Sequence, residues 1–175
     1  MGFTPLEGLV MGTRCGNIDP AIIPQIIAQE GISTHEIYNL LNRYSGLLGI
    51  SGISNDMRDI ISEMDKGSER AKLAFDIYTY VIRKYIGAYA AAMGGLDALA
   101  FTAGVGENSP RVRKACCEGL SFIGIDLDDE KNEQTIGEIG MISHKYSKVK
   151  VFCIPTNEEL IMAIDTYKIV KGLST

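Results

Sequence analysis

The feature that most constrains this chain is an unbroken helical pattern from Glu69 to Met93. Ala71, Ala74, Phe75, Tyr78, Val81, Ile82, Tyr85 and Tyr89 recur three and four residues apart and form one stripe. Glu69, Arg70, Lys72, Asp76, Arg83 and Lys84 supply the polar side. At 1.5 Å per residue the helix runs for roughly 37 Å, enough to span a domain, and Gly94-Gly95 ends it. A stripe of that length demands partner elements, so the remaining segments are read as layers packed around it.

Asp19-Pro20 reads as a helix start, cap then proline, and the apolar helix that follows ends at Gly31. Ser33 and Glu36 have capping-box spacing. The next helix puts Ile37, Leu40, Leu41 and Tyr44 on one face, and Gly46 closes it. Leu47 to Asn55, rich in glycine and serine, reads as a short extended segment and loop. A helix carrying Met57, Ile60, Ile61 and Met64 follows and ends at Gly67.

Ala98 to Thr102 is a short apolar run that suits a strand buried on both faces. Gly104 to Asn108 reads as a tight turn, and Ser109-Pro110 starts a helix that ends near Gly124. Asp126 to Asn132 is charged and expected on the surface. Glu138 to Ser143 and Val149 to Ile154 read as strands. Thr156 and Glu159 have capping-box spacing before a last helix with Leu160, Ala163, Ile164 and Tyr167 on one face. There is no repeat, low-complexity tract or linker, and 175 residues with 46% hydrophobic side chains fit one α/β domain with a small sheet.

The net charge of −5 argues against a nucleic-acid binder. No apolar run is long enough for a membrane span, and the first residues lack the pattern of a signal peptide, so a cytoplasmic location is expected. Cys15, Cys116, Cys117 and Cys153 have no metal spacing and read as reduced thiols. His35 and His144 read as structural or surface residues.

Four groups carry possible chemistry. The first twenty residues have no secondary-structure period, yet include Phe3, Leu6, Leu9, Val10 and Met11, so they read as an ordered loop presenting Arg14. A guanidinium there suits a phosphate or carboxylate, or neutralises a neighbour such as Glu7. Asp56-Met57-Arg58 is a helix start with a charge pair two residues apart. Gly104-Val105-Gly106-Glu107-Asn108, between a strand and a helix, is either a plain turn or a place where backbone approaches an anion. Its spacing is neither that of a dinucleotide fold nor that of a Walker loop. Glu158 and Glu159 sit in a first helical turn, where acids complement the dipole.

Gly2 to Arg14 (GFTPLEGLVMGTR), with the following Gly16, Asn17, Ile18, Asp19 and Pro20, resembles a signature of the acetate kinase family, which includes propionate kinases. The resemblance continues through Ser45–Asp59 (SGLLGISGISNDMRD), Arg83–Pro110 and Ile154–Leu160 (IPTNEEL) and covers essentially the whole chain. Family members are about twice as long. The resemblance therefore implies the C-terminal nucleotide-binding domain, with the N-terminal half absent, as a ribonuclease-H-like domain of the actin-like and sugar-kinase-like ATPase fold. It implies reversible phosphoryl transfer from ATP to acetate, giving acetyl phosphate and ADP, with Mg²⁺.

Carried over residue by residue, the family pattern implies Arg14 as transition-state stabiliser and Pro5 in the apolar wall around the acetate methyl. It implies Asp56, Met57, Arg58, Gly104, Val105, Gly106, Glu107 and Asn108 against the adenine nucleotide, and Glu158 at the metal. It also implies a homodimer through this domain. The isolated chain is expected to bind nucleotide weakly, to turn over little acetate and to expose an unusually apolar surface. The alternatives are a propionate or butyrate kinase domain and a non-catalytic dimerisation module.

Overall fold

The computed structural model describes residues 1–172. Where length leads one to expect a single domain, the chain gathers into two compact units, Met1–Met93 and Gly94 onward.

The first unit opens with the loop of residues 1–20 and continues through α1 (Ile22–Glu30), α2 (Thr34–Arg43), α3 (Gly46–Ser51), α4 (Met57–Asp65) and α5 (Glu69–Met93). The long helix has the bounds its pattern predicts. Its buried face is Ala71, Ala74, Phe75, Thr79, Ile86 and Ala90, and Thr79 returns its hydroxyl to the Phe75 carbonyl at 3.0 Å. Tyr89, expected on the stripe, is exposed. α3 and α4 pack on α5, burying Leu47, Met57 and Ile60. The Ser33–Glu36 capping box forms in full. Asp19 instead accepts from the Ala21 amide at 2.9 Å, one turn ahead of the helix it was expected to cap.

Residues 46–51, expected to be extended, are helical. The reason is tertiary. α3 donates its otherwise unpaired first amides to the opening loop, Leu47 N–H to the Met11 carbonyl and Leu48 N–H to the Gly12 carbonyl, both at 2.9 Å. Gly46 makes this possible. Its φ is +63°, and a Cβ there would lie 2.1 Å from the Met11 oxygen.

The second unit contains β1 (Ala98–Phe101), α6 (Ala103–Asn108), α7 (Pro110–Cys117), a 3₁₀ turn at Ser121–Ile123, α8 (Asp129–Gln134), β2 (Gly140–Met141), β3 (Lys150–Cys153) and α9 (Glu158–Val170). Among the described residues the sheet has the order β1-β3-β2. β1 is parallel to β3 (Ala98 opposite Lys150) and β2 antiparallel to it (Met141 opposite Phe152). β3 is central, with Val151 and Cys153 fully buried.

β1 lies at the edge, and Ala98 and Ala100, which share one face of it, are exposed, so the strand is buried on one face and not on both as expected. Gly104 to Asn108 lies in a six-residue helix, not a tight turn. α7 ends at Cys117, well before Gly124. Asn132, expected on the surface, is fully buried. Of the strand expected over Glu138 to Ser143, only Gly140–Met141 is paired as β2. α9 is capped by the Asn157 side chain, which accepts from the Leu160 amide at 3.0 Å, and not by Thr156.

Two of these departures, the helical Gly104–Asn108 segment and the buried Asn132, share one cause, Arg113. It is fully buried on α7, and its guanidinium donates to Gly106 O at 2.9 Å, Glu107 O at 3.0 Å, Asn132 Oδ1 at 2.8 Å, Asn132 O at 2.7 Å and Thr135 O at 2.6 Å. The Gly106 and Glu107 carbonyls are among the last of α6, which lack partners within the helix. Burial pushes the Arg113 pKa down from its usual value, and the high intrinsic basicity of a guanidinium keeps it charged.

Two stability predictions follow from this packing. Arg113→Met strands several buried acceptors and lowers unfolding free energy by about 3 kcal/mol or more in urea titrations. Ala103, between β1 and α6, has a φ of +60°, a region costly for a side chain with a Cβ. Ala103→Gly therefore leaves the urea midpoint level or raised, whereas Ala103→Val lowers stability by about 1–3 kcal/mol.

Candidate functional site

The residues singled out from sequence fall into two groups, one in each unit.

In the first unit, the opening loop is ordered by its own polar groups. The Gly8 amide donates to Asn17 Oδ1 at 2.8 Å and the Asn17 amide to Gly8 O at 3.1 Å. The Thr13 hydroxyl bonds Asn42 O at 2.8 Å, and the Cys15 amide bonds Leu41 O at 3.0 Å. Arg14 stands at the end of the Met11–Arg14 turn, partly buried. Its guanidinium reaches only the Met11 sulfur, at 3.7 Å. Glu7 does not pair with it, so among the described residues the Arg14 fork has no carboxylate partner. Pro5 lies exposed in a turn of the same loop.

Gly12 packs against the Asn55 carbonyl, where a Cβ would come within 2.8 Å. The loop carrying Arg14 is thereby set beside the residue that precedes Asp56. Asp56 caps α4, accepting from the Arg58 amide at 2.8 Å, and also receives the Arg58 guanidinium at 3.0 Å (Nε) and 2.5 Å (Nη2). The guanidinium bond, then the amide bond, hold the Asp56 carboxyl down to about 2. Arg58 is 90% exposed, whereas the Met57 side chain is in the core, so Met57 offers a ligand only its backbone.

In the second unit, the strained Ala103 turns the chain from β1 directly into α6. Gly104 is exposed, and nothing lies within 4 Å of where its Cβ would be. Gly106 instead packs against Phe101. The Asn108 amide group donates back to Gly104 O at 2.9 Å, closing the segment on itself. The Glu107 carboxylate accepts from the Thr156 amide at 2.6 Å and its hydroxyl at 2.9 Å, and these bonds hold its pKa below the usual carboxylate value. Two residues on, Glu158 is exposed in the first turn of α9, with no partner among the described residues. A lone, hydrated carboxylate fits a magnesium ion that takes its other oxygens from water and phosphate, and so meets the donor chemistry that such an ion asks for.

Sequence reasoning missed Arg113, Asn132 and the Glu107–Thr156 contact. The available signal for Arg113 was its place three and four residues before Cys116 and Cys117, on the apolar side of α7. Nothing in sequence pairs Glu107 with a residue 49 positions away. Among the described residues the four cysteines form no disulfide, and burial pushes the Cys117 thiol up to about 12. His35 and His144 lie outside both groups, His144 beside Asp128 and stacked on Tyr146. No described helix is long and apolar enough to cross a membrane.

Residues 1–164 match the model of the acetokinase family. An acetate kinase of Heliobacterium modesticaldum is 54% identical over 98% of the chain, and one of Thermotoga petrophila is 60% identical over 99%. The chain spans 43% of the length of each. Among solved structures, the acetate kinase of Porphyromonas gingivalis superposes with a TM-score of 0.92 at 47% identity, over 97% of this chain and 43% of that one. A propionate kinase of Francisella tularensis gives 0.86 at 45% identity, over 93% and 41%. The fold is accordingly that of the actin-like and sugar-kinase-like ATPases, represented here by a small mixed sheet among helices. A signature loop ordered around a free arginine, a strand turned sharply into a glycine-bearing helix, and a family match over almost every residue lead to one conclusion: this chain belongs to the acetokinase family.

Proposed function

We propose that this chain supplies the nucleotide-binding part of an acetate kinase, an ATP:carboxylate phosphotransferase that moves the γ-phosphoryl group reversibly between ATP and acetate. The match of almost every residue of this chain to acetate kinases, over 43% of their length, carries this reading. Acetate is already ionised at neutral pH, so the reaction needs positioning and charge neutralisation more than a strong base.

In this reading Arg14 serves the transferring phosphoryl group, whose equatorial oxygens gather negative charge. Its fork suits that role because no carboxylate of the described residues occupies it. Pro5 lines the acetate methyl. Gly104, Val105, Gly106, Glu107 and Asn108 form the nucleotide segment, where the open space above Gly104 lets a ligand approach backbone. Asp56, Met57 and Arg58 belong to the adenosine end. Glu158 is the ligand for Mg²⁺, which neutralises phosphate charge when bound.

We propose as the partner of this chain a portion matching the rest of the relatives' length, of which the chain spans 43%. Leu160, Ile161, Met162, Ile164, Tyr167, Ile169 and Val170 are exposed around the whole circumference of α9. A helix that exposes so many large apolar side chains among few polar ones suits cover by another element. We place the reaction in the cytoplasm, in keeping with cysteines that form no disulfide among the described residues, and expect a homodimer, in keeping with Leu73, Tyr80, Tyr89 and Met93 exposed on α5. The propionate kinase likeness keeps propionate as a second substrate candidate.

Calorimetry with Mg·ADP tests the nucleotide part. The chain binds it weakly, and Asn108→Ala weakens it further. No heat from the unsubstituted chain would sink that part. Adding a separately made N-terminal portion of a related enzyme raises acetyl phosphate formation, and Arg14→Ala cuts that rate by about 100-fold or more. Independently, the Asp56 carboxyl titrates near 2 by NMR, and Arg58→Gln moves the midpoint up toward 3.8. Because the folded value is depressed, the stabilisation from this cap is present above 3.8 and is lost as pH falls through about 2.

A further inference from the structure

Glu107 is spent on the protein itself. One carboxylate oxygen accepts both the amide and the hydroxyl of Thr156, at 2.6 and 2.9 Å. These are hydrogen bonds to an ionised group, the stronger kind. The Glu107 end is held by two other bonds to its carbonyl, from Arg113 at 3.0 Å and from the Gly137 amide at 3.1 Å. Behind Thr156, the Ile154 amide bonds Phe101 O at 2.9 Å, tying the end of β3 to the end of β1. Beyond it, α9 is exposed along almost its whole length, so side-chain packing does not fix where the helix begins.

We propose that Glu107 is a positioning residue, whose carboxylate latches Thr156 and so sets Glu158 against the Gly104–Asn108 segment, rather than itself touching nucleotide. This rests on the nucleotide reading of that segment. The latch makes the strand-to-helix turn after β1 and the turn before α9 move as one piece, so a ligand ordering one of them meets the other already in place.

Amide hydrogen exchange on the full chain, read at Thr156 and the first turn of α9, tests the latch, and Mg·ADP affinity tests its purpose. Glu107→Ala speeds exchange at the Thr156 amide about tenfold or more, and Glu107→Gln, which keeps an acceptor, restores much of the protection. Mg·ADP affinity falls several-fold in Glu107→Ala and in Thr156→Val, falls little further in the double variant, and recovers in Thr156→Ser, with the thermal midpoint unchanged. Affinity lost in Glu107→Ala but intact in Thr156→Val would make Glu107 a direct ligand contact and overturn the proposal. Unchanged exchange at Thr156 would overturn it too. Failure of the unsubstituted chain to bind Mg·ADP would sink the nucleotide reading, while exchange at Thr156 that answers to Glu107 would still uphold the latch.

Discussion

The second unit is organised around one buried cation. The Arg113 guanidinium has only neutral oxygens of α6, α8 and the residue after α8 as hydrogen-bond acceptors within 3.0 Å. A buried charge is tolerable only when its donors are satisfied, and a planar guanidinium with five N–H groups can serve several carbonyls at once. Here it ends α6, a helix of six residues containing two glycines that would not hold together alone. It also draws Asn132 into the core, where the Asn132 amide group reaches back to Pro110 O at 2.9 Å. The Gly104–Asn108 segment, which we propose for nucleotide, thus takes its shape from a fully buried side chain.

The first unit solves the same problem without a buried charge. A loop of twenty residues must find partners for its backbone, and α3 offers its unpaired amides to the Met11 and Gly12 carbonyls. The two backbones meet only because Gly46 lacks a side chain, and Gly12 lets the same loop close on the Asn55 carbonyl. The result is an ordered loop carrying Arg14, whose guanidinium reaches only the Met11 sulfur among the described residues.

What could be read from sequence was what local chemistry decides. The bounds of α5 follow from periodicity and a double glycine, and the cap at Ser33 from a reciprocal pair three residues apart. The family signatures were legible because they are contiguous. The misreadings fall where distant groups override local preference. Residues 46–51 look like a loop by composition but become helical by donating to the opening loop. Gly104 to Asn108 looks like a turn, and Arg113 makes it a helix. Thr156 has the spacing of a cap but is claimed by Glu107 from across the unit. Met57 belongs to a contiguous motif, yet its side chain faces inward, which no motif reports.

The glycines show how far a motif can be pressed toward function. Gly12, Gly46 and Gly106 are each accounted for by the fold, since a Cβ at any of them would crowd a neighbouring backbone. Their presence in a signature says nothing about a ligand. Gly104 differs: its φ is not in the left-handed region, it is exposed, and apart from its own helix and chain neighbours nothing lies within 4 Å of a Cβ built there. Neither strain nor packing asks for glycine at that position. The neighbouring Ala103 shows the reverse, a residue with a Cβ held where glycine would fit better. Strain accepted at 103 and space left at 104 are hard to explain as stability. Both are explained if the turn from β1 into α6 is shaped to bring backbone against something that arrives from outside.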